Sequence, residues 1–340
     1  MNITQLIRTR LTKKTMNNNT FEEIAEKFNS AKNIVLLPHV GIDGDAVGSC
    51  VALASVLRAK GKNVHVLYKE EIPSNLAFIA NGYFTDNSDV IPDDELDIAA
   101  CIDCGGYDRF KGFEEKFDSA KLRICIDHHG TSMGIANLNY IDPDAAACGV
   151  LIYDLLKVLG VPEENKVEVG TALFVAITTD TGNFQYSNTN RKCHEIMAEL
   201  YDWDIDFNRA SVEVYENERP EKLMIASRAS SRIQMVAGGK GAVSYVTYDD
   251  LEEIGVKAGE TDPIVQSLRS INGVEIAAFL KEKNPGEVRV SYRSKLYANV
   301  AELAMMHDGG GHEKAAGCTL HMDLKNAVEV IKKDIEEALK

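Results

Sequence analysis

The feature that most restricts this chain is a hydrophobic pattern whose period switches back and forth along its first half. Ile34 to Leu37 is a short continuous apolar run ending at Pro38, the signature of a parallel strand buried on both faces. A helical pattern from Ala46 to Lys60 follows. Strand patterns then come at Val64 to Tyr68, Ile98 to Asp103 and Leu122 to Asp127, with a loop and helix around Asn75 to Ala80 between the first two. Alternation of this kind implies βαβ units, so an α/β fold is expected: an N-terminal parallel sheet flanked by helices. Thr20 and Glu23 form a capping box, which predicts an opening helix from Phe21 to about Ser30. Further helices are expected at about Cys148 to Leu159 and Val167 to Thr179.

A chain of 340 residues exceeds what one hydrophobic core usually holds, so a second domain is expected. Residues 191–218 are charged and helical in pattern, and read as a connector. Beyond them, strand patterns at Ala242 to Thr247, Glu275 to Lys281 and Glu287 to Tyr292 precede helices at about Val300 to His307 and Leu324 to Leu339. The expected division is therefore 20–190, a helical connector 191–218, and a smaller C-terminal α/β domain 219–340.

The formal net charge of −15 argues against coating long nucleic acid, which requires many cations along the track. A small anionic substrate remains compatible, because clustered carboxylates can be neutralised by bound metal. Seven cysteines in a chain this long do not form a secreted disulfide framework, and a reducing cytoplasm is expected. Cys101 and Cys104 make a CxxC with no second pair, and are read as two buried or half-buried thiols rather than a zinc or redox site. No apolar run approaches the roughly 20 residues of a membrane helix. The basic, acid-poor stretch from Met1 to Asn19 reads as a flexible tail or alternative start.

In an open parallel sheet, ligands gather at the carboxyl ends of the strands. Acid and histidine stand at three of those ends. The first strand runs into His39, Asp43 and Asp45, the third ends at Asp103, and the next ends in Asp127-His128-His129. Asp180 closes an apolar helix and adds a fourth source. One such cluster alone would read as turn or cap chemistry, whereas their recurrence points to a site for hard metal ions.

In order and spacing, these residues resemble the four motifs of the DHH phosphoesterases. Ser291-Tyr292-Arg293-Ser294 and Gly309-Gly310-Gly311-His312, followed by Ala315-Ala316-Gly317, resemble the DHH-associated domain of the nanoRNase and pAp-phosphatase branch. The resemblance implies an N-terminal DHH domain, a substrate-binding second domain and an active site in the cleft between them. It implies one metal on His39, Asp43 and Asp103, and another on Asp45, Asp103, His128 and Asp180. Mn²⁺ is favoured and Mg²⁺ is admissible. Asp127 is expected to orient a ligand imidazole, and His129 to contact the scissile phosphate. Arg293, the glycines Gly309 to Gly311 and His312 are expected to hold a phosphate that is not cleaved. The chain departs from the family pattern at three places: Ile42 where proline is frequent, Asp308 where a further glycine is common, and the Ala147-Cys148 pair in place of Ser-Thr.

The implied activity is hydrolysis of oligoribonucleotides a few residues long to mononucleotides, with 3′-phosphoadenosine 5′-phosphate (pAp) as a related substrate. Hydrolysis of linear or cyclic dinucleotides, or of inorganic pyrophosphate, is the enzymatic alternative. A nucleotide-binding regulator on the same fold is the non-enzymatic one. The expected partners are short oligonucleotides or small nucleotide phosphates, not long nucleic acid or membrane, and a homodimer is compatible with the sequence. His65, His194, His307 and His321 read as surface or packing residues.

Overall fold

The computed structural model describes residues 18–256 and 259–340, so all of the basic N-terminal stretch but its last two residues lies outside the described residues. The chain divides into two compact units, the first ending at Asn217 and the second running from Glu218 to Lys340.

The first unit is built on six parallel strands: β1 Asn33–Leu37, β2 Asn63–Leu67, β3 Phe84–Thr85, β4 Ile98–Ile102, β5 Leu122–Asp127 and β6 Leu138–Ile141. Their order across the sheet is β3-β2-β1-β4-β5-β6. Every residue of β1 and of β4 is buried, as the unbroken apolar runs require of strands covered on both faces. Strands β3 and β6 carried too little apolar signal to be read from the sequence. The capping box at Thr20 forms as expected and opens helix Phe21–Ser30.

One face of this sheet is covered by helices Gly44–Ala59 and Cys148–Leu159, and helix Lys166–Asp180 packs on both of them. Two of these, Gly44–Ala59 and Lys166–Asp180, meet so closely that a Cβ on Gly48 would lie 2.3 Å from the Ala172 carbonyl oxygen and 2.9 Å from the Ala176 Cβ. The absent side chain sets the spacing between the helix that begins beside Asp45 and the helix that ends at Asp180.

Residues 191–217 contribute two amphipathic helices, Arg191–Tyr201 and Phe207–Tyr215. Their apolar residues Ile196, Leu200, Trp203 and Val214 join the first unit's core, and the Phe207 ring meets Phe174 edge-on at 5.2 Å.

The second unit is a mixed six-stranded sheet: β7 Gln234–Val236, β8 Gly241–Val246, β9 Ile276–Asn284, β10 Glu287–Ser294, β11 Gly310–His312 and β12 Ala315–Leu320, in the order β11-β12-β10-β9-β8-β7. All neighbours are antiparallel except β8 and β9. One face packs on helix Leu324–Ala338 through Val288, Val290, Tyr292, Ile331 and Ile335. The other packs on helices Pro220–Ser230 and Ile264–Ser270 through Ala242, Ala277, Phe279, Ile225 and Leu268.

Candidate active site

Because β1 lies between β2 and β4, chain connections leave it toward one side while the later strands build on the other. That divergence opens a crevice at the carboxyl ends of β1 and β4. The loop after β1 supplies His39 and Asp43, and Asp45 follows within the first turn of helix Gly44–Ala59. Asp103 is the residue just past β4, β5 ends in Asp127 followed by His128 and His129, and Asp180 ends helix Lys166–Asp180.

These side chains converge into overlapping groups in which the candidate ligand atoms lie within 4.8 Å of one another: His39, Asp43 and Asp103; Asp45, His128 and Asp180; and Asp103, His128 and His129. The Asp103 carboxylate belongs to both sides of the site. Its Oδ2 is 3.6 Å from His39 Nε2, and its Oδ1 is 3.4 Å from His128 Nε2. Asp103 holds a left-handed φ of 57°, which costs an aspartate on the order of 1–3 kcal/mol.

Both imidazoles are fixed by their far nitrogens. His39 Nδ1 faces the Val40 carbonyl oxygen at 3.0 Å, and His128 Nδ1 faces that of Ala145 at 3.2 Å. With Nδ1 placed to donate, each Nε2 faces the carboxylates and is the nitrogen that, once deprotonated, a metal would take. Asp127 does something different from expectation. Its Oδ1 is 2.7 Å from His129 Nδ1, so it orients His129 rather than the imidazole of His128. The reason is local: the backbone N–H of His129 also donates to Asp127 Oδ1 in a tight turn that sets the His129 ring against Asp127, while His128 Nδ1 faces the Ala145 carbonyl.

Several residues that support the site had no sequence signature. Asp45 accepts from the backbone N–H groups of Cys148 at 2.6 Å and Gly149 at 2.8 Å, at the start of a helix, and from Ser49 Oγ at 3.1 Å. The Ala147-Cys148 departure therefore keeps a backbone donor for Asp45. Asn188 ties the end of helix Lys166–Asp180 to the loop before Cys148, donating to the carbonyls of Asp180 and Ala146. Tyr68 and Glu70 brace the loop ahead of Asp43, with Ile42 N–H donating to Tyr68 Oη and Gly41 N–H to Glu70 Oε2. An amide at position 42 is what this brace uses, and a proline there would lack it.

The electrostatics call for added positive charge. Burial, followed by repulsion from Asp103, Asp180 and Asp43, pushes the Asp45 carboxyl well above its ordinary range. Burial raises Asp180 to about 6, against the opposing pull of His128 and with Asp43 and Asp103 adding to the rise. Burial acts to lower His39, but its contacts with Asp103 and Asp43 outweigh this and raise it to about 11. The buried Asp103 Oδ1 accepts no hydrogen bond among the described residues. An acidic pocket with an orphaned carboxylate oxygen and imidazole Nε2 atoms turned into it fits a divalent cation, and these groups could hold metal.

In the second unit, Arg293 and His312 occupy register positions on either side of Ala315, through β10–β12 and β11–β12 pairing. Arg293 Nη1 donates to the Tyr292 carbonyl at 2.9 Å. The three glycines serve unequal purposes. A Cβ on Gly309 would lie 2.3 Å from the Gly317 oxygen and one on Gly311 2.5 Å from the Ala315 oxygen, so both allow close strand approach, whereas Gly310 is open and exposed. Asp308 sits at a φ of 56°, which explains in backbone terms why glycine suits that position. Of the four histidines set aside, His307 pairs with Asp334 at 2.7 Å and His194 packs on Phe184.

The fold and this constellation define a two-domain protein of the DHH family. The profile of the DHH family N-terminal domain matches residues 33–189, and that of the DHHA1 domain matches residues 238–340. Among relatives, the chain is 29% identical to the bifunctional oligoribonuclease and PAP phosphatase NrnA of Thermus thermophilus, over 90% of each chain. It is 26% identical to the protein of the same name from Bacillus subtilis, over 85% of this chain and 89% of that one. The crystal structure of an exopolyphosphatase-related protein from Bacteroides fragilis has the same fold, with a TM-score of 0.85 at 24% identity, covering 93% of this chain and 95% of that one. No helix among the described residues is long and apolar enough to cross a membrane.

Proposed function

We propose that the chain is a cytoplasmic phosphoesterase that uses two divalent ions, Mn²⁺ by preference, to release mononucleotides from oligoribonucleotides a few residues long and AMP from pAp. The observation that carries the reading is the Asp103 carboxylate, which directs one oxygen toward His39 and the other toward His128. His39, Asp43 and Asp103 would hold one ion. Asp45, Asp103, His128 and Asp180 would hold the other. Bound ions would supply Lewis acidity and an acidified water for attack on phosphorus. The names carried by the relatives from Thermus thermophilus and Bacillus subtilis support the substrate class.

His129 acts from the mouth of the pocket, with its side chain about one third exposed. Its hydrogen bond to Asp127 raises it to about 9, against burial and with help from Asp103. It is therefore a charged donor near neutrality, suited to grip a phosphate oxygen and to return a proton to the leaving oxygen. Arg293 and the Gly309 to His312 segment would hold a phosphate that is not cleaved.

Two tests follow. Product analysis on a ladder of labelled oligoribonucleotides with Mn²⁺, beside pAp and pyrophosphate, should show mononucleotide from the shortest oligomers and AMP from pAp. Cleavage of pyrophosphate alone would contradict the substrate class. Arg293→Ala should raise KM about tenfold or more with a smaller change in kcat, as loss of a charge-assisted phosphate contact worth about 1.5–3 kcal/mol requires. An unchanged KM would remove Arg293 from substrate capture.

Metal should also stabilise the fold in a pH-dependent way. Asp45 and Asp180 have folded pKa values above those of the unfolded chain, so their stability contribution is complete below about 4 and lost as pH rises through about 6 for Asp180. The His39 contribution is complete below about 6.5 and is lost toward about 11. Both trends weaken the metal-free protein as pH rises, and Mn²⁺ displaces the protons responsible. The gain in Tm on adding Mn²⁺ should therefore be larger at pH 8 than at pH 5.5. An equal or reversed increment would contradict ion binding at these carboxylates.

A further inference from the structure

We infer that the half of the second sheet left bare by its helices is a short track for the sugar–phosphate backbone of a single-stranded oligonucleotide, with Arg289 as a second phosphate contact beyond Arg293. This rests on the proposed activity and specifies how substrates longer than a dinucleotide are held. Strand β10 alternates strictly from Val288 onward: Val288, Val290, Tyr292 and Ser294 are buried, whereas Arg289 is exposed and Ser291 and Arg293 are half-buried. Arg289, Ser291 and Arg293 therefore share the face opposite helix Leu324–Ala338. Helices Pro220–Ser230 and Ile264–Ser270 pack on that same face through Ala242, Ala277 and Phe279 of β8 and β9. Helix Ile264–Ser270 also reaches β10, whereas on β12 the same face shows half-buried Ala315 and Gly317 and exposed Thr319.

The register turns this open area into a strip. Arg289 lies opposite Thr319, Ser291 opposite Gly317 and Gly310 beyond it, and Arg293 opposite Ala315. Between the two arginines the floor is glycine, alanine and hydroxyl side chains, which lets a polymer backbone approach closely. Arg293 is four residue steps from Arg289, about 13 Å along the strand. That leaves room for a further phosphate past the one Arg293 would hold.

Charge selects the occupant. In a protein of net charge −15, the Arg289 side chain makes no hydrogen bond or ion pair among the described residues, and it sits close enough to Lys281 on β9 to add to the depression of that lysine by burial. Asp262 is the acid that faces Lys281 in partial compensation. Cations left crowded in this way favour an anion, and a flexible phosphodiester chain fits an extended strip better than a compact anion does. The strip also has an end. Past Arg289 a β-bulge leads to Glu287, whose carboxylate pairs with Lys283 at 3.8 Å and would repel a longer chain.

The test compares wild type and Arg289→Ala with Mn²⁺ on labelled oligoribonucleotides of two and five residues. Arg289→Ala should raise KM for the pentamer about fivefold or more, with kcat and the KM for the dimer each within about twofold of wild type and Tm within about 2 °C, as for an exposed side chain. The slope of log(kcat/KM) for the pentamer against log salt should fall by about 0.7, as expected for one lost phosphate contact on a single strand. Arg289→Lys, which keeps the charge, should retain most of the pentamer affinity. Equal losses on dimer and pentamer, or an unchanged pentamer KM and salt slope, would overturn the track while leaving the proposed activity standing. A wild-type protein that cleaves neither oligomer would overturn both.

Discussion

Asp103→Ala is expected to lower phosphoester turnover by roughly a thousandfold or more, since even outer partners of metal ligands cost about 10- to 100-fold when removed. The expectation follows from position. Asp103 is the one carboxylate that faces His39 with one oxygen and His128 with the other. Removing it weakens both candidate ion sites together and relieves Asp45 and Asp180 of the repulsion Asp103 exerts on each. The fold should tolerate the change, because Asp103 lies past the end of β4 and its left-handed φ is a local expense. Steady-state assays with Mn²⁺ and Tm measured without metal would separate the two effects. Turnover within tenfold of wild type would contradict the bridging role.

Gly48→Val should be the most damaging single change outside the ligands. Its methyls would be driven into the Ala172 carbonyl oxygen and the Ala176 side chain, at positions where even a Cβ lies at 2.3 and 2.9 Å. Neither neighbour is the free end of a flexible chain, so helices Gly44–Ala59 and Lys166–Asp180 must separate. Overpacking of this kind typically costs about 1–3 kcal/mol, and a contact against backbone belongs at or above the top of that range. For a unit of this size the Tm should fall by about 6–12 °C. The same displacement pulls Asp45 away from Asp180, so Mn²⁺ should rescue less stability than in wild type. Ala59→Val, at an exposed position at the end of the same helix, is the control and should be nearly neutral. Equal Tm values for the two variants would show that the helix contact is not tight.

Much of this architecture was legible in the residues because the two sources of information agreed. Continuous apolar runs located β1, β4 and β5, and the acid and histidine after each run marked the end of the sheet where ligands gather. Short edge strands were missed for a physical reason: β3 and β6 bury few side chains, so their sequences carry no apolar run. Helices Pro220–Ser230 and Ile264–Ser270 were also missed, since each owes its existence to a sheet face formed by distant strands. At the site, the ligand types could be read but their bracing could not. Asn188, Ser49, Tyr68 and the backbone donors of Cys148 and Gly149 act through contacts made only after folding. Asp127 illustrates the limit well. Its presence beside two histidines was evident, but which imidazole it holds depends on a turn closed by the His129 amide.

The most direct test is a manganese titration followed by electron paramagnetic resonance, with wild type and Asp103→Asn compared. The account predicts two Mn²⁺ per wild-type chain with the spectrum of a magnetically coupled pair, and loss of that coupling in the variant. A lone uncoupled ion, or none, in a wild-type chain that still cleaves phosphate esters would contradict it.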